Sequence, residues 1–181
     1  MSNKKYYFYI FTSLVVLLIA GSVYLFIFDK DDEQVLEAEQ IKELVSDYSL
    51  GRHDDLDASI TSHELIVNDQ DNNERVYQLP EESFFVSIAP YDDETHPCAV
   101  HSLTGCQGEL VNQTFNLSIE DQNGEVIVND TVTSMENGFI DIWLPRDETF
   151  NVTIAKDGKS VQQEISTFEG DDTCITTMQL Q

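Results

Sequence analysis

After a short tip carrying Lys4 and Lys5, the chain runs without a charge from Tyr6 to Phe28, YYFYIFTSLVVLLIAGSVYLFIF. As a helix this block is about 35 Å long at 1.5 Å per residue, enough to cross a bilayer. The two lysines favour a cytoplasmic N-terminus, and DKDDE follows on the other side. A cleaved signal peptide needs a small-residue cleavage site near the end of the apolar run. The candidate, Ala20-Gly21-Ser22, is followed by more apolar sequence. The pattern therefore predicts an uncleaved single-pass anchor in residues 1–28, with Asp29 to Gln181 outside the cytoplasm.

Beyond the anchor the period changes twice. In EQVLEAEQIKELVSDYSLG, Val35, Ala38, Ile41, Val45 and Tyr48 recur at helical spacing, and Gly51 is a natural stop. HELIVND and ERVYQLP then flank the turn-rich QDNN, which predicts a hairpin. ESFFVSIAPY reads as a further strand. After Glu109 the strands come quickly: TFNLSIED, EVIVNDTV, GFIDIWLP, ETFNVTIA, SVQQEIST and TCITTMQL, with turns at DQNG, MENG and KDGK. Many short strands with regular turns predict a β-sandwich. The expected fold class is mainly β (α+β). Its parts are a cytoplasmic tip and transmembrane anchor over 1–28, a short helix and β-hairpin region over 29–95, and a sandwich domain over 96–181.

Charge narrows the partners. The formal net charge is −25, and without Lys4 and Lys5 the exported part carries 7 basic and 34 acidic residues, net −27. Such a surface repels nucleic acid and anionic lipid. Solubility or a salty medium accounts for it without a specific ligand, although cations are concentrated near it.

Candidate chemistry lies in HPCAVHSLTGCQGEL, His96 to Leu110, which holds two of the three cysteines; the third is Cys174. In an exported protein, paired cysteines usually form structural disulfides. Cys98 and Cys106 are placed to bridge across Ser102–Gly105, but an odd count leaves one thiol over. The rival is a metal site. Three thiolates suit Cu(I), a soft ion, and thiolates can also reduce incoming Cu(II) while becoming a disulfide. Zinc fits the same ligands when a histidine joins as Cys3His. His101 is the candidate fourth ligand. If extended, Cys98 to His101 would span about 10 Å, so the segment must bend for the two to share an ion. His101 otherwise orients a ligand, or is a satisfied buried histidine. His96, beside Pro97, is expected to be exposed, and His53 and His63 to lie on the surface. Met178 shares a strand face with Cys174 at about 13 Å and reads as core. Trp143 reads as core too.

Other motifs are weak. DQDNNE, Asp69 to Glu74, begins like a calcium loop, but no glycine stands at its sixth position and Pro80 takes the twelfth. It reads as a turn. No Gly-x-Ser-x-Gly, His-Glu-x-x-His or phosphate-binding glycine loop is present, and no Cys-x-x-Cys suggests a thiol oxidoreductase. An enzyme is not expected. The alternative is a metal-free adhesion or scaffold sandwich held by a Cys98–Cys106 disulfide.

CAVHSLTGCQGEL resembles the signature of the CueP family of extracytoplasmic copper-binding proteins, Cys-x-x-His-Ser-Leu-Thr-x-Cys-x-Gly-Glu. It is met by Cys98, His101, Ser102, Leu103, Thr104, Cys106, Gly108 and Glu109. FFVSIAPY, NGFIDIWLPR and DDTCITTMQL resemble family segments in the same order, so the likeness covers about residues 35–181. The resemblance implies that Cys98, Cys106 and Cys174 bind copper, with His101 supporting or completing the site. It also implies an N-terminal region packed on a β-rich C-terminal domain, a role in copper resistance, and a copper-receiving client as partner, and it raises a homodimer. A helical anchor departs from the soluble or lipid-tethered forms familiar in the family.

Overall fold

The computed structural model describes residues 36–53, 56–71 and 73–181. Among these the chain forms one helix, α1 (Ala38–Ser49), and eleven strands. They are β1 (Asp57–Ile60), β2 (Glu64–Asn68), β3 (Glu74–Gln78), β4 (Ser83–Ile88), β5 (His101–Ser102), β6 (Thr114–Asp121), β7 (Val126–Thr133), β8 (Ile140–Pro145), β9 (Thr149–Lys156), β10 (Lys159–Ser166) and β11 (Cys174–Ile175). The fold is mainly β, with one short helix and three sheets, ordered β3-β2-β1-β5, β10-β9-β6-β7 and β11-β4-β8. No helix among the described residues is long and apolar enough to cross a membrane. The expected anchor at Tyr6–Phe28 lies outside the described residues.

Strand β4 explains how the layers stack. SFFVSI is buried at five successive positions, so neither of its faces meets water. Phe84, Val86 and Ile88 point one way, into a core with Phe115, Leu117 and Ile119 of β6 and Phe150, Val152 and Ile154 of β9. That core fills the space between two sheets, and their alternating apolar positions are what the period-2 pattern of the sequence requires. Phe85 points the other way. It joins Ile41, Val45 and Tyr48 of α1, Ile60, Leu65 and Val67 of β1 and β2, and Leu103. The three-stranded sheet is thus packed on both faces. Residues before position 96 share this sheet with residues after it: β4 pairs antiparallel with β8 and parallel with β11.

The helix starts later than its apolar period suggests. Residue 37 is extended, and its N–H donates to Gln40 Oε1 at 3.0 Å, giving an end-group donor a partner. Gly51 ends the helix with a φ of +65°, the left-handed geometry glycine adopts without strain. The QDNN hairpin forms as expected, with Glu64 opposite Gln78 and Asn68 opposite Glu74. Asp69 Oδ1 there accepts from the N–H groups of Asp71 and Asn73, both at 2.9 Å. The carboxylate therefore closes its own turn.

Candidate metal centre

The segment after Pro97 is pinned at several points. Ala99 O accepts from Thr173 N at 2.9 Å and Cys174 N at 3.1 Å, which clamps the start of the cysteine loop onto β11. His101 N–H donates to Thr173 Oγ1 at 3.0 Å, and that hydroxyl donates to Ile60 O at 2.6 Å. His101 then pairs with Ile60 in the short β5–β1 ladder. The chain turns back at once. Ser102 O accepts from Cys106 N at 3.0 Å, and Ser102 Oγ accepts from Gly105 N at 3.0 Å. This is the bend that Cys98 and His101 need in order to share an ion.

The result is a compact donor set. One ligand atom each from Cys98, His101, Cys106 and Cys174 falls within 4.8 Å of the others. Cys98 Sγ and Cys106 Sγ are 3.6 Å apart, and His101 Nδ1 is 3.4 Å from Cys174 Sγ. All three cysteines are free thiols. Sulfurs at about 2.3 Å from a tetrahedral ion would stand about 3.8 Å apart, so these spacings fit one metal. His101 and Cys174 are buried, at 0% and 1% exposure, while Cys98 and Cys106 are half-buried and form the open side. Phe139 closes the inner side, its ring 4.5 Å from that of His101.

The thiols do not share charge evenly. Hydrogen bonds from Cys174 first, and then from His101, draw the Cys106 thiol down to about 3. Cys174 moves the other way, because it donates to Cys106 and is buried. Burial also raises Cys98. Of the three thiols, Cys106 is therefore the most acidic. A soft cation would find its most readily ionised sulfur there, and would displace thiol protons on binding.

Several expected positions turn out differently. His96 is half-buried rather than exposed, within hydrogen-bonding reach of Cys106 and 6.5 Å from the ring of Phe139. The proline beside it suggested exposure, but the loop folds back over the thiols. His53 is half-buried, its ring 4.6 Å from Tyr48, and His63 is exposed and bonded to Ser62 Oγ at 2.8 Å. Met178 is fully buried core. Trp143 is only partly buried, edge-on to Phe85 at 5.2 Å with Lys42 over its ring at 5.6 Å. Asp141 escaped the sequence reading altogether. It accepts from Ser49 Oγ and Ser87 Oγ, each at 2.6 Å, and its only sequence signal is a polar residue within the apolar GFIDIWLP.

Comparison with known proteins shows the family. A family model described as "Periplasmic copper-binding protein CueP" matches residues 39–179. The chain belongs to the CueP family. It is similar to a solved structure described as "Crystal Structure of S.CueP", with 32% sequence identity and a TM-score of 0.73 over 89% of this chain and 97% of that one. A search of curated proteins gives no match. The family description names copper, and in this chain the cysteine and histidine cluster is where such an ion can be held.

Proposed function

We propose that the chain is an extracytoplasmic protein, anchored by residues 6–28, that binds one Cu(I) through Cys98, Cys106 and Cys174 with His101 as the fourth donor. It sequesters the ion or passes it to a client and so contributes to copper resistance. The observation that carries this reading is the convergence of three free thiols and one imidazole from two distant parts of the chain within 4.8 Å. Soft sulfur donors select Cu(I) over harder ions. Membership of a family described as periplasmic and copper-binding supports the compartment and the metal. The uncharged run supports the anchor.

Zinc is the second reading, since Cys3His is an established zinc set. The half-exposed Cys98 and Cys106 favour a cargo that enters and leaves over a closed structural ion. Reduction of Cu(II) is a further capacity of the same thiols. Cys98 and Cys106 forming one S–S bond would release two electrons, enough to convert two Cu(II) to two Cu(I), with any thiol protons passing to solvent.

The test is an anaerobic Cu(I) titration of the reduced chain against a chromogenic Cu(I) chelator, with X-ray absorption on the loaded sample. One tightly held copper with about three sulfur scatterers is expected. Cys174→Ser is expected to weaken Cu(I) as strongly as Cys98→Ser. Unchanged affinity in Cys174→Ser would remove that residue from the site. Failure of the wild type to compete would return the disulfide-bonded, metal-free scaffold to the lead.

A further inference from the structure

The four donors are not held alike. Cys174 N–H donates to Ala99 O at 3.1 Å, Cys106 N–H to Ser102 O at 3.0 Å, and His101 N–H to Thr173 Oγ1 at 3.0 Å. Cys98 is the exception. His96, Pro97 and Cys98 make no backbone–backbone hydrogen bond among the described residues, and a proline nitrogen has no hydrogen to give. The Cys98 thiol lies 3.4 Å from Val100 O and 3.6 Å from Cys106 Sγ, both on its own loop. Its place beside Cys174 is therefore set by what holds the chain on either side.

Downstream, Ala99 O accepts from Thr173 N and Cys174 N. Upstream the fastener is a side chain. Thr95 Oγ1 donates to Thr176 O at 2.6 Å, within the normal range for a hydroxyl donor. The two fasteners run in opposite order along the two segments, Thr95 to Thr176 and Ala99 to Thr173 and Cys174, so they bracket Cys98 and Cys174 between them. The second segment is a firm base. Ser87 N–H donates to Thr173 O and Ala89 N–H to Ile175 O, both at 2.9 Å, which seats β11 on β4. Thr176 is buried, and its carbonyl accepts no other hydrogen bond among the described residues. A buried carbonyl without a donor is costly, so the bond is favoured although Thr95 lies at the surface. Glu109 takes the N–H groups of Asp92 and Asp93, but these stand farther back from Cys98.

We propose that Thr95 is a positioning residue for the metal centre: its hydroxyl latches the segment before Cys98 onto the segment after Cys174, and so holds the Cys98 thiol at the open side of the donor set. Without the hydroxyl, the backbone from Thr95 to Cys98 has no tie of its own, and Cys98 is free to swing toward solvent. A donor already in place gives up less freedom when an ion binds than one that must first be ordered. The proposal rests on the Cu(I) reading for its effect on the ion, while the placement of Cys98 exists before any metal binds.

The experiment compares Thr95→Val, which keeps the shape and removes the hydroxyl, with Thr95→Ser, which keeps the hydroxyl. The full chain is used in detergent, reduced and metal-free, and limited alkylation followed by mass spectrometry reads each cysteine separately. In Thr95→Val, Cys98 should react about 3- to 10-fold faster than in the wild type, the range that one net hydrogen bond is worth. Cys106, anchored through its own N–H, should change less, and Thr95→Ser should restore the wild-type rates. In parallel, Cu(I) affinity against a chromogenic chelator should fall by a similar factor in Thr95→Val and return in Thr95→Ser. A fold loosened at large would instead raise Cys106 and Cys174 along with Cys98. That result would overturn the proposal, as would an unchanged Cys98 in Thr95→Val, or an unchanged Cu(I) affinity there while the wild type binds tightly. A wild type that binds no Cu(I) would sink the copper reading, and the alkylation rates would still decide whether Thr95 holds Cys98.

Discussion

Gly138 adopts a φ of +80°, and its backbone lies against that of Gly108. A Cβ on Gly138 would sit 2.5 Å from Gly108 O, and one on Gly108 would sit 2.8 Å from Gly138 O. Gly108 N–H donates to Asn137 O at 2.7 Å, so the MENG turn docks directly on the stretch after Cys106. The other signature residues are also fasteners. Thr104 Oγ1 accepts from Ala58 N at 3.1 Å, and Leu103 is buried beside Phe85. Glu109 accepts from the N–H groups of Asp92 and Asp93, at 2.7 and 3.0 Å, tying down the loop before the cysteines. Within the signature, Cys98, His101 and Cys106 are the proposed ligands and the rest hold the loop. Gly138→Ala combines strain at a positive φ with a backbone clash, and is expected to lower stability by about 1–3 kcal/mol. Thermal unfolding measures the loss. Because the clash displaces the Cys106 side of the loop, Cu(I) affinity should fall as well, although residue 138 touches no ligand. Unchanged affinity would mean that the turn does not position Cys106.

At the scale of elements, what was legible followed from length and alternation. β6 and β9 alternate buried and more open positions over their first six residues, and DQNG and KDGK turn where glycine permits. Four- and two-residue strands have no period to detect. β1 and β5 were therefore invisible in the sequence, although their pairing of Ile60 with His101 places the site. TCITTMQL looked like a full strand, but only Cys174 and Ile175 pair as one. The tail after it is held by packing and by a bridge between Tyr91 and Gln179. The three cysteines and His101 stood out by type. Asp141 did not, because its placement beside Ser87 comes from strand register across β4 and β8. Met178, at 0% exposure, anchors that tail in the large core. Met178→Ala is expected to destabilise by about 2–4 kcal/mol, read by denaturant unfolding. It should also raise the reactivity of Cys174 toward a thiol reagent, since β11 has only two paired residues to hold it. A Cys174 as protected as in the wild type would show that the clamp from Ala99 suffices alone.

At the scale of the whole molecule, the donors come from different sheets. His101 belongs to the sheet β3-β2-β1-β5, with Cys98 and Cys106 on the loop around it, and Cys174 to β11-β4-β8. The two sheets already share the core around Phe85 and the hydrogen bonds of Ala99 and Thr173, and an ion bound to all three thiols would add a further tie between them. A ligand that binds only the folded chain stabilises it by about 4 kcal/mol when free ligand is a thousandfold above Kd. For a domain of this size that is about 8–16 °C in Tm. Reduced, copper-free protein should therefore melt at a temperature that rises by this order under anaerobic Cu(I) and falls back when a strong Cu(I) chelator is added. The variants separate the tie from the thiols themselves. Serine at the buried Cys174 should lower the copper-free Tm, whereas serine at the half-exposed Cys98 should leave it nearly unchanged. Both should lose most of the copper-induced rise, because either substitution removes one of three sulfurs. A full rise retained in Cys174→Ser would place the ion on the loop alone and leave the two sheets joined by their shared core and the hydrogen bonds of Ala99 and Thr173.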